Sequence, residues 1–246
     1  MIDLSLIWIA IIALGVLMYV VLDGFDLGIG ILFPFFKDQH ERDVMMNTVA
    51  PVWDGNETWM VLGGAGLFAA FPLVYSTVLS ALYMPIILMV ISLIFRGVAF
   101  EFRFKAHRGR HWWDIAFIGG SLLTSFLQGV ILGAYIQGIK TTNGIYSGGG
   151  LDWLTPFSLF TGVGVVILYA TLGCGWLIFK TDHELQDKMF QLMPKLIIVL
   201  LLVFGAVSLY TPLAHQQIAE RWFSQPQIFY FSPVPILVVL FTFMAL

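Results

Sequence analysis

Two acidic residues in the first apolar segment are the side chains best suited to chemistry. Asp23 and Asp26 stand three residues apart in the run VLDGFDLGIG, so a helix places both on one face. A carboxylate in hydrocarbon is costly unless it is paired or hydrated, and such groups usually face a bundle interior and often mark ion or proton paths. The other interpretation is a structural ion pair near the membrane surface, and both stay open.

A second acidic pair has the same spacing. Asp54 and Glu57 lie in the run WDGNETW, where the second apolar segment begins. The pair could join the first two acids in a proton path. Alternatively, Asp54 caps the N-terminus of a helix and interacts favourably with its dipole. The sequence does not decide between capping and function.

A basic counter-charge follows at the end of the third apolar segment. Arg96 and Glu101 lie in the run FRGVAFEFR, and a buried arginine needs an acidic partner. We therefore expect Arg96 to pair with the carboxylates and Glu101 to lie at the same cytoplasmic level; the alternative is that Arg96 extends to the membrane surface. Carboxylates left without a counter-charge could exchange protons with the cytoplasm. The candidate proton-path residues are Asp23, Asp26, Asp54, Glu57, Arg96 and Glu101.

These side chains must be positioned by helices that cross a membrane. The chain is 59% hydrophobic and only 11% charged, whereas a soluble domain has about 25% charged residues. A crossing helix needs about 20 apolar residues. We predict an all-α, polytopic transmembrane helical bundle of about seven spans. The predicted segments are roughly 5–35, 55–72, 74–99, 114–138, 155–179, 192–211 and from 233 onward, of which the second is the least apolar at its start.

The charges between these segments predict an orientation. If all seven segments cross, only Lys140 and Arg221 fall on one side. By the positive-inside rule, the richer side is cytoplasmic and the N-terminus lies outside the cytoplasm. The residues of the richer side are Lys37, Arg42, Arg103, Lys105, Arg108, Arg110, Lys180, Lys188 and Lys195.

The whole chain, residues 1–246, reads as a single integral membrane domain. Its last apolar run, 233–246, is shorter than a full crossing requires, so we expect a chain truncated at the C-terminus. The formal net charge of -3 and the lack of a basic block argue against a nucleic-acid partner.

The sequence offers no obvious ligand for a haem or a metal ion. A haem buried in a helix bundle usually takes its axial ligand from inside a helix, and we expect every histidine to lie in a loop or at the end of a span. A single cysteine, Cys174, excludes a cysteine-cluster metal site. The histidines are His40, His107, His111, His183 and His215.

Three strings in the first half of the chain resemble subunit II of the cytochrome bd-type quinol oxidases. They are DGFDLGIG at 23–30, APVWDGNETW at 50–59 and FRGVAFEFR at 95–103. The resemblance implies a heterodimer in the bacterial cytoplasmic (inner) membrane, whose subunit I carries haems b and d, oxidises quinol and reduces dioxygen to water. It also implies that subunit II is haem-free, with a bound quinone or lipid and small accessory transmembrane subunits as further candidates.

The resemblance further implies a role in supplying cytoplasmic protons toward the haems of subunit I for Asp23, Asp26, Asp54, Glu57 and Arg96. Two other classes of function stay open. An ion-coupled transporter would bind its cation or substrate at discontinuous helices near the midplane, whereas these acids cluster toward one membrane surface. A purely structural subunit would stabilise subunit I without conducting protons.

Overall fold

The computed structural model describes residues 3–106, 108–214 and 216–245, and these are almost entirely helical. The predicted all-α architecture is thus confirmed. A short antiparallel hairpin, β1 (Thr141–Thr142) and β2 (Ile145–Tyr146), lies between the sixth and seventh helices. The helices are α1 (Leu4–Leu32), α2 (Gln39–Val49), α3 (Trp53–Ala70), α4 (Pro72–Ala81), α5 (Tyr83–Phe102), α6 (Arg110–Gln137), α7 (Pro156–Lys180), α8 (His183–Ala214), α9 (Gln216–Phe223), α10 (Gln227–Phe231) and α11 (Pro233–Ala245).

Five of the described helices are long and apolar enough to cross a membrane. They are α1 with the 3-10 turn that extends it to Phe35, and α5, α6, α7 and α8. The pair formed by α9 and the segment Gln227–Thr242 is bent by 87° and makes a sixth candidate if it counts as one broken span. The second predicted segment corresponds to α3, which is not among these candidates, so the count of seven spans stays a prediction.

The third predicted segment, 74–99, is divided in the structure. One short helix, α4, ends at Ala81, and α5 begins at Tyr83. Pro85 has no N–H to donate to the carbonyl of Ala81, which accounts for the break. The α4 segment instead packs beside the hairpin, where the Thr77 hydroxyl donates to the Gly144 carbonyl at 2.9 Å.

Small residues bring α1 and α7 into close contact at the level of the acidic residues. A Cβ atom built on Gly28 would lie 1.9 Å from the carbonyl oxygen of Tyr169, and one built on Gly173 would lie 2.5 Å from the carbonyl carbon of Gly28. The ring of Tyr169 packs on Gly24 in the same way, because a Cβ added to Gly24 would lie 2.9 Å from that ring. Only glycine permits this approach, which fixes α7 against the acidic turn of α1.

Helix α6 packs against both α5 and α7 by the same means. A Cβ on Gly120 would lie 2.6 Å from the Ser92 carbonyl oxygen of α5, and one on Gly129 would lie 2.4 Å from the Thr161 carbonyl oxygen of α7. Helices α1, α5, α6 and α7 therefore form the tightly packed centre of the bundle, and α3 packs on the outside of α1 beside α5.

Candidate functional site

A buried arginine joins three helices at the candidate site. Arg96 of α5 donates through Nη1 to Oδ1 of Asp23 on α1 at 2.6 Å, and through Nη2 to Oε2 of Glu57 on α3 at 2.8 Å. The side chains of Arg96 and Asp23 are fully buried, and that of Glu57 is 24% exposed. The expected pairing of Arg96 is present, and Arg96 does not extend to the surface.

The second carboxylate of α1 has a neutral partner. Asp26 is fully buried, and its Oδ2 atom accepts from the side-chain amide of Asn56 on α3 at 2.9 Å. The two acids of α1 thus share one helical face but differ in their donors, a guanidinium for Asp23 and an amide for Asp26. Nothing in the sequence had singled out Asn56, although it lies between Asp54 and Glu57.

Aromatic packing sets the first turn of α3 against α5 and thereby places these side chains. The ring of Trp53 stacks on Phe100 with centroids 5.0 Å apart. A Cβ on Gly97 would approach the Trp53 ring to 3.3 Å, so the glycine makes room for the indole. With this turn fixed, Asn56 and Glu57 point toward α1 and α5.

Three atoms of this cluster are buried without a hydrogen-bond partner among the protein groups that the structure describes. They are Oδ2 of Asp23, Oδ1 of Asp26 and Nε of Arg96. Buried polar atoms usually have partners in native proteins, and exceptions often have a functional explanation. Both carboxylates of α1 therefore keep an oxygen that can accept a proton or a hydrogen bond.

Asp54 and Glu57 do not act as a pair. Asp54 is exposed in the first turn of α3. The N-cap residue is Val52, so the expectation that Asp54 caps the helix is wrong, although its charge still interacts favourably with the helix dipole. Of this pair, only Glu57 reaches Arg96.

The expectation that Glu101 lies with the other acids needs correction. Its side chain is 62% exposed and pairs with Lys105 at 3.1 Å. Five residues along an α-helix turn the side-chain direction by about 140°, so Glu101 cannot share the face from which Arg96 enters the bundle. It lies outside the buried cluster.

A second ion cluster, which is partly buried, joins α2 to α5 and α6. Arg103 is fully buried and lies 2.5 Å from Asp114 and 2.7 Å from Asp43. Arg42 also reaches Asp114, at 2.8 Å, and Arg110 pairs with Asp43. The five side chains alternate in sign, which holds α2 across one end of the bundle.

The electrostatics of Asp43 reflect this arrangement. Its partial burial opposes ionisation, but hydrogen bonds from Arg110 and Arg103 outweigh that effect and lower the pKa of Asp43 below its ordinary value. In the sequence, Arg42, Arg103 and Arg110 served only to mark a membrane side. Their carboxylate partners depend on how α2 folds back, which local patterns do not reveal.

A chain of polar side chains connects α7, α6 and α1. The Tyr169 hydroxyl donates to Oε1 of Gln128 at 2.6 Å, and Nε2 of Gln128 donates to the Tyr19 hydroxyl at 2.6 Å. Ser121 and Thr124 of α6 are also fully buried, and their hydroxyl oxygens have no partner in the described part of the chain. Tyr19 and Tyr169 were not predicted to be site residues, because both fit an apolar run.

Possible metal ligands are dispersed. His40, His111 and His183 lie in the first turns of α2, α6 and α8, while His107 and His215 lie outside the described residues. Among the residues described, no group of three or more histidine, cysteine, aspartate or glutamate side chains could hold a metal ion.

Comparison with known proteins assigns the family. The family model of cytochrome bd terminal oxidase subunit II matches residues 4–246. The chain is 36% identical over 191 residues to cytochrome bd-I ubiquinol oxidase subunit 2 of Escherichia coli strain K12, with 74% of this chain and 50% of that protein covered. It is 34% identical over 193 residues to a probable cytochrome oxidase subunit 2 of Haemophilus influenzae, with 75% and 51% covered.

A third relative extends the match. Cytochrome bd ubiquinol oxidase subunit 2 of Bacillus subtilis is 35% identical over 217 residues, which cover 85% of this chain and 63% of that protein. The chain thus spans about half the length of the first two relatives. With the family model matching nearly every residue and these relatives matching most of the chain, it belongs to the cytochrome bd terminal oxidase subunit II family.

Proposed function

We propose that this chain is the second subunit of a bd-type terminal oxidase that oxidises quinol and reduces dioxygen to water. The names of its relatives support the quinol oxidase activity of the complex. Haems b and d are expected in the partner subunit I, and the bacterial cytoplasmic (inner) membrane is the expected location. Within this complex the chain stabilises subunit I and supplies it with protons from the cytoplasm.

The observation that supports proton supply is the charge balance of the buried cluster. The carboxylates of Asp23 and Glu57 bind the one guanidinium of Arg96, and the carboxylate of Asp26, three residues along α1 from Asp23, accepts from the neutral Asn56 amide. Burial disfavours an excess of negative charge, so the cluster is disposed to bind a proton. Arginine is not deprotonated in proteins, so Arg96 balances the charge of the acids without taking up the proton itself.

The exposure of the same groups supports a direction for proton transfer, from the surface to the interior. Glu57 is the member of the cluster that remains partly exposed, whereas Asp23 and Asp26 are fully buried. A proton that reaches Glu57 from the surface can pass to the acids of α1, which have free acceptor oxygens. Dioxygen reduction consumes protons, and drawing them from the cytoplasm while quinol releases its own on the other side generates a membrane potential.

A structural role is the competing function, and one observation favours it. Arg96 cross-links α1, α3 and α5, and a buried ion pair of this kind can serve to specify how helices assemble. In that case the acids would be needed for assembly of the complex but not for turnover.

Replacement of Asp23 separates these functions. The complex of this chain with subunit I is purified with Asp23→Asn, and haem spectra and quinol oxidase turnover are measured. Proton supply predicts intact haem spectra with turnover lowered by about tenfold or more. Glu101→Gln, an exposed acid neutralised in the same way, is the control and should retain full turnover. Wild-type turnover in Asp23→Asn would refute proton supply by this residue.

A further inference from the structure

The polar chain of Tyr169, Gln128 and Tyr19 has a defined direction. An amide oxygen only accepts hydrogen bonds, so the Tyr169 hydroxyl must be the donor in its contact with Oε1 of Gln128. An amide nitrogen only donates, so the Tyr19 hydroxyl oxygen accepts from Nε2 of Gln128. The Tyr19 proton is not used by either bond and is available to a further acceptor.

The carboxylate of Asp23, on the same helix, is such an acceptor. Asp23 follows Tyr19 by four residues, which places the two side chains on one face of α1. Oδ1 of Asp23 is bound by Arg96, whereas Oδ2 has no partner among the described residues.

Packing fixes the position of this polar chain of side chains. Tyr19 and Tyr169 are both buried, and the ring of Tyr169 rests on Gly24, the neighbour of Asp23. A buried hydroxyl or amide group without a hydrogen-bond partner destabilises the folded protein. The three side chains therefore keep their hydrogen bonds in this order. The order leaves the Tyr19 hydroxyl proton unused, on the helical face of α1 that also carries Asp23.

We propose that Tyr19 is a positioning residue that donates its hydroxyl proton to Oδ2 of Asp23, with Gln128 setting the direction of this hydrogen bond. The proposal rests on the proposed function, because it assigns to Tyr19 the control of a carboxylate on the proton path. With Arg96 on one oxygen and Tyr19 on the other, Asp23 is held in one orientation. Among the described residues Asp26 accepts only from the Asn56 amide, so it is the freer of the two acids.

Simple packing by hydrogen bonds between helices is the competing explanation for these residues. Two substitutions test the direction of the hydrogen bonds in this polar chain. Tyr19→Phe removes the donor and keeps the ring. Gln128→Glu keeps the size of the side chain but replaces the amide donor with an acceptor, so that Tyr19 donates to residue 128 and no longer to Asp23. Tyr135→Phe is the control, because it removes a tyrosine hydroxyl from an exposed position on α6, the helix that carries Gln128.

The readouts are quinol oxidase kcat and KM and the carboxylate stretching band of Asp23, measured on the purified complex with subunit I. The band is assigned by its loss in Asp23→Asn, and haem spectra verify assembly. We expect Tyr19→Phe and Gln128→Glu to shift this band and to lower kcat by about tenfold, the effect of losing a hydrogen bond to a charged group. KM for quinol should not change, and Tyr135→Phe should retain kcat within about twofold.

The outcomes distinguish this inference from the proposed function. An unshifted band or a wild-type kcat in Tyr19→Phe overturns the inference, as does an equal loss of kcat in Tyr135→Phe. If Asp23→Asn lowers turnover under the same conditions, the proton-supply function stands even though Tyr19 does not position Asp23. If Asp23→Asn also has wild-type turnover, the proposed function fails as well.

Discussion

Arg96 and Asp23 form a fully buried ion pair, with Nη1 of the guanidinium 2.6 Å from Oδ1 of the carboxylate. The pair joins α5 to α1, and the second terminal nitrogen of the same guanidinium joins α3 through Glu57. One side chain thus organises the acidic residues of two helices. We expect its loss to affect both helix packing and charge balance, which makes it the first residue to test.

Removal of Arg96 should destabilise the protein strongly. Arg96→Met keeps a long side chain but leaves Asp23 without its counter-charge, and breaking a buried pair in this way costs about 3–5 kcal/mol. The measurement is the thermal unfolding of the purified complex. Asp23→Asn in the Arg96→Met background should recover part of the loss, because the unpaired charge is then removed.

The exposed pair on the same helix provides the control for that experiment. Lys105 and Glu101 are 72% and 62% exposed, and pairs of this kind contribute up to about 1 kcal/mol. Lys105→Met should therefore leave the unfolding temperature nearly unchanged. Equal effects of Arg96→Met and Lys105→Met would mean that the buried pair has no special role in stability.

The part of this site that could be predicted from sequence is the part governed by burial alone. Arg96 lies within an apolar segment, which predicted that it pairs with a carboxylate, and the structure shows this pairing. Glu101 was grouped with it by sequence proximity, but the helical turn between the two residues directs them to different faces. The break before α5 was also missed, although Pro85 supplied a local reason for it.

Contacts that depend on tertiary register could not be predicted in this way. Arg103 and Asp114 flank one loop, but their third partner, Asp43, comes from α2. Tyr19 and Gln128 are separated by 109 positions and meet only because α1 and α6 pack at one level. No local pattern encodes that level, which the close packing of glycines against neighbouring backbones determines.

The second ion cluster predicts how stability depends on pH. Two arginines, Arg110 and Arg103, lower the pKa of Asp43 in the folded protein. A group whose pKa is lower in the folded state contributes stability that is present above its unfolded-state pKa of about 3.9 and is lost as the pH falls through the folded-state pKa. Asp43→Asn removes this contribution.

The measurement for Asp43 is the unfolding temperature of wild type and Asp43→Asn across the acidic range. We expect wild type to be the more stable at neutral pH, with a difference that stays constant down to about pH 5 and shrinks at lower pH. A difference that is absent at neutral pH, or that grows on acidification, would contradict the arrangement of charges around Asp43.

The contact between α1 and α7 predicts that Gly28 tolerates no side chain. A Cβ at this position lies 1.9 Å from the Tyr169 carbonyl oxygen, so Gly28→Ala must move one backbone away from the other. Such overpacking typically costs about 1–3 kcal/mol, and we expect a lower unfolding temperature. Gly64→Ala is the matched control, because a Cβ there would meet no atom of another helix within 4 Å in the part of the chain that the structure describes. A Gly28→Ala variant as stable as Gly64→Ala would show that the two helices are not in close contact.

Voltage generation by an Asp26→Asn variant tests whether the buried carboxylates of α1 conduct protons. The complex with subunit I is reconstituted into vesicles, and the membrane potential formed on adding quinol in the presence of oxygen is recorded. Proton supply predicts intact haem spectra but a membrane potential that forms at least about tenfold more slowly than in wild type. A potential that forms at the wild-type rate and to the wild-type extent would contradict it.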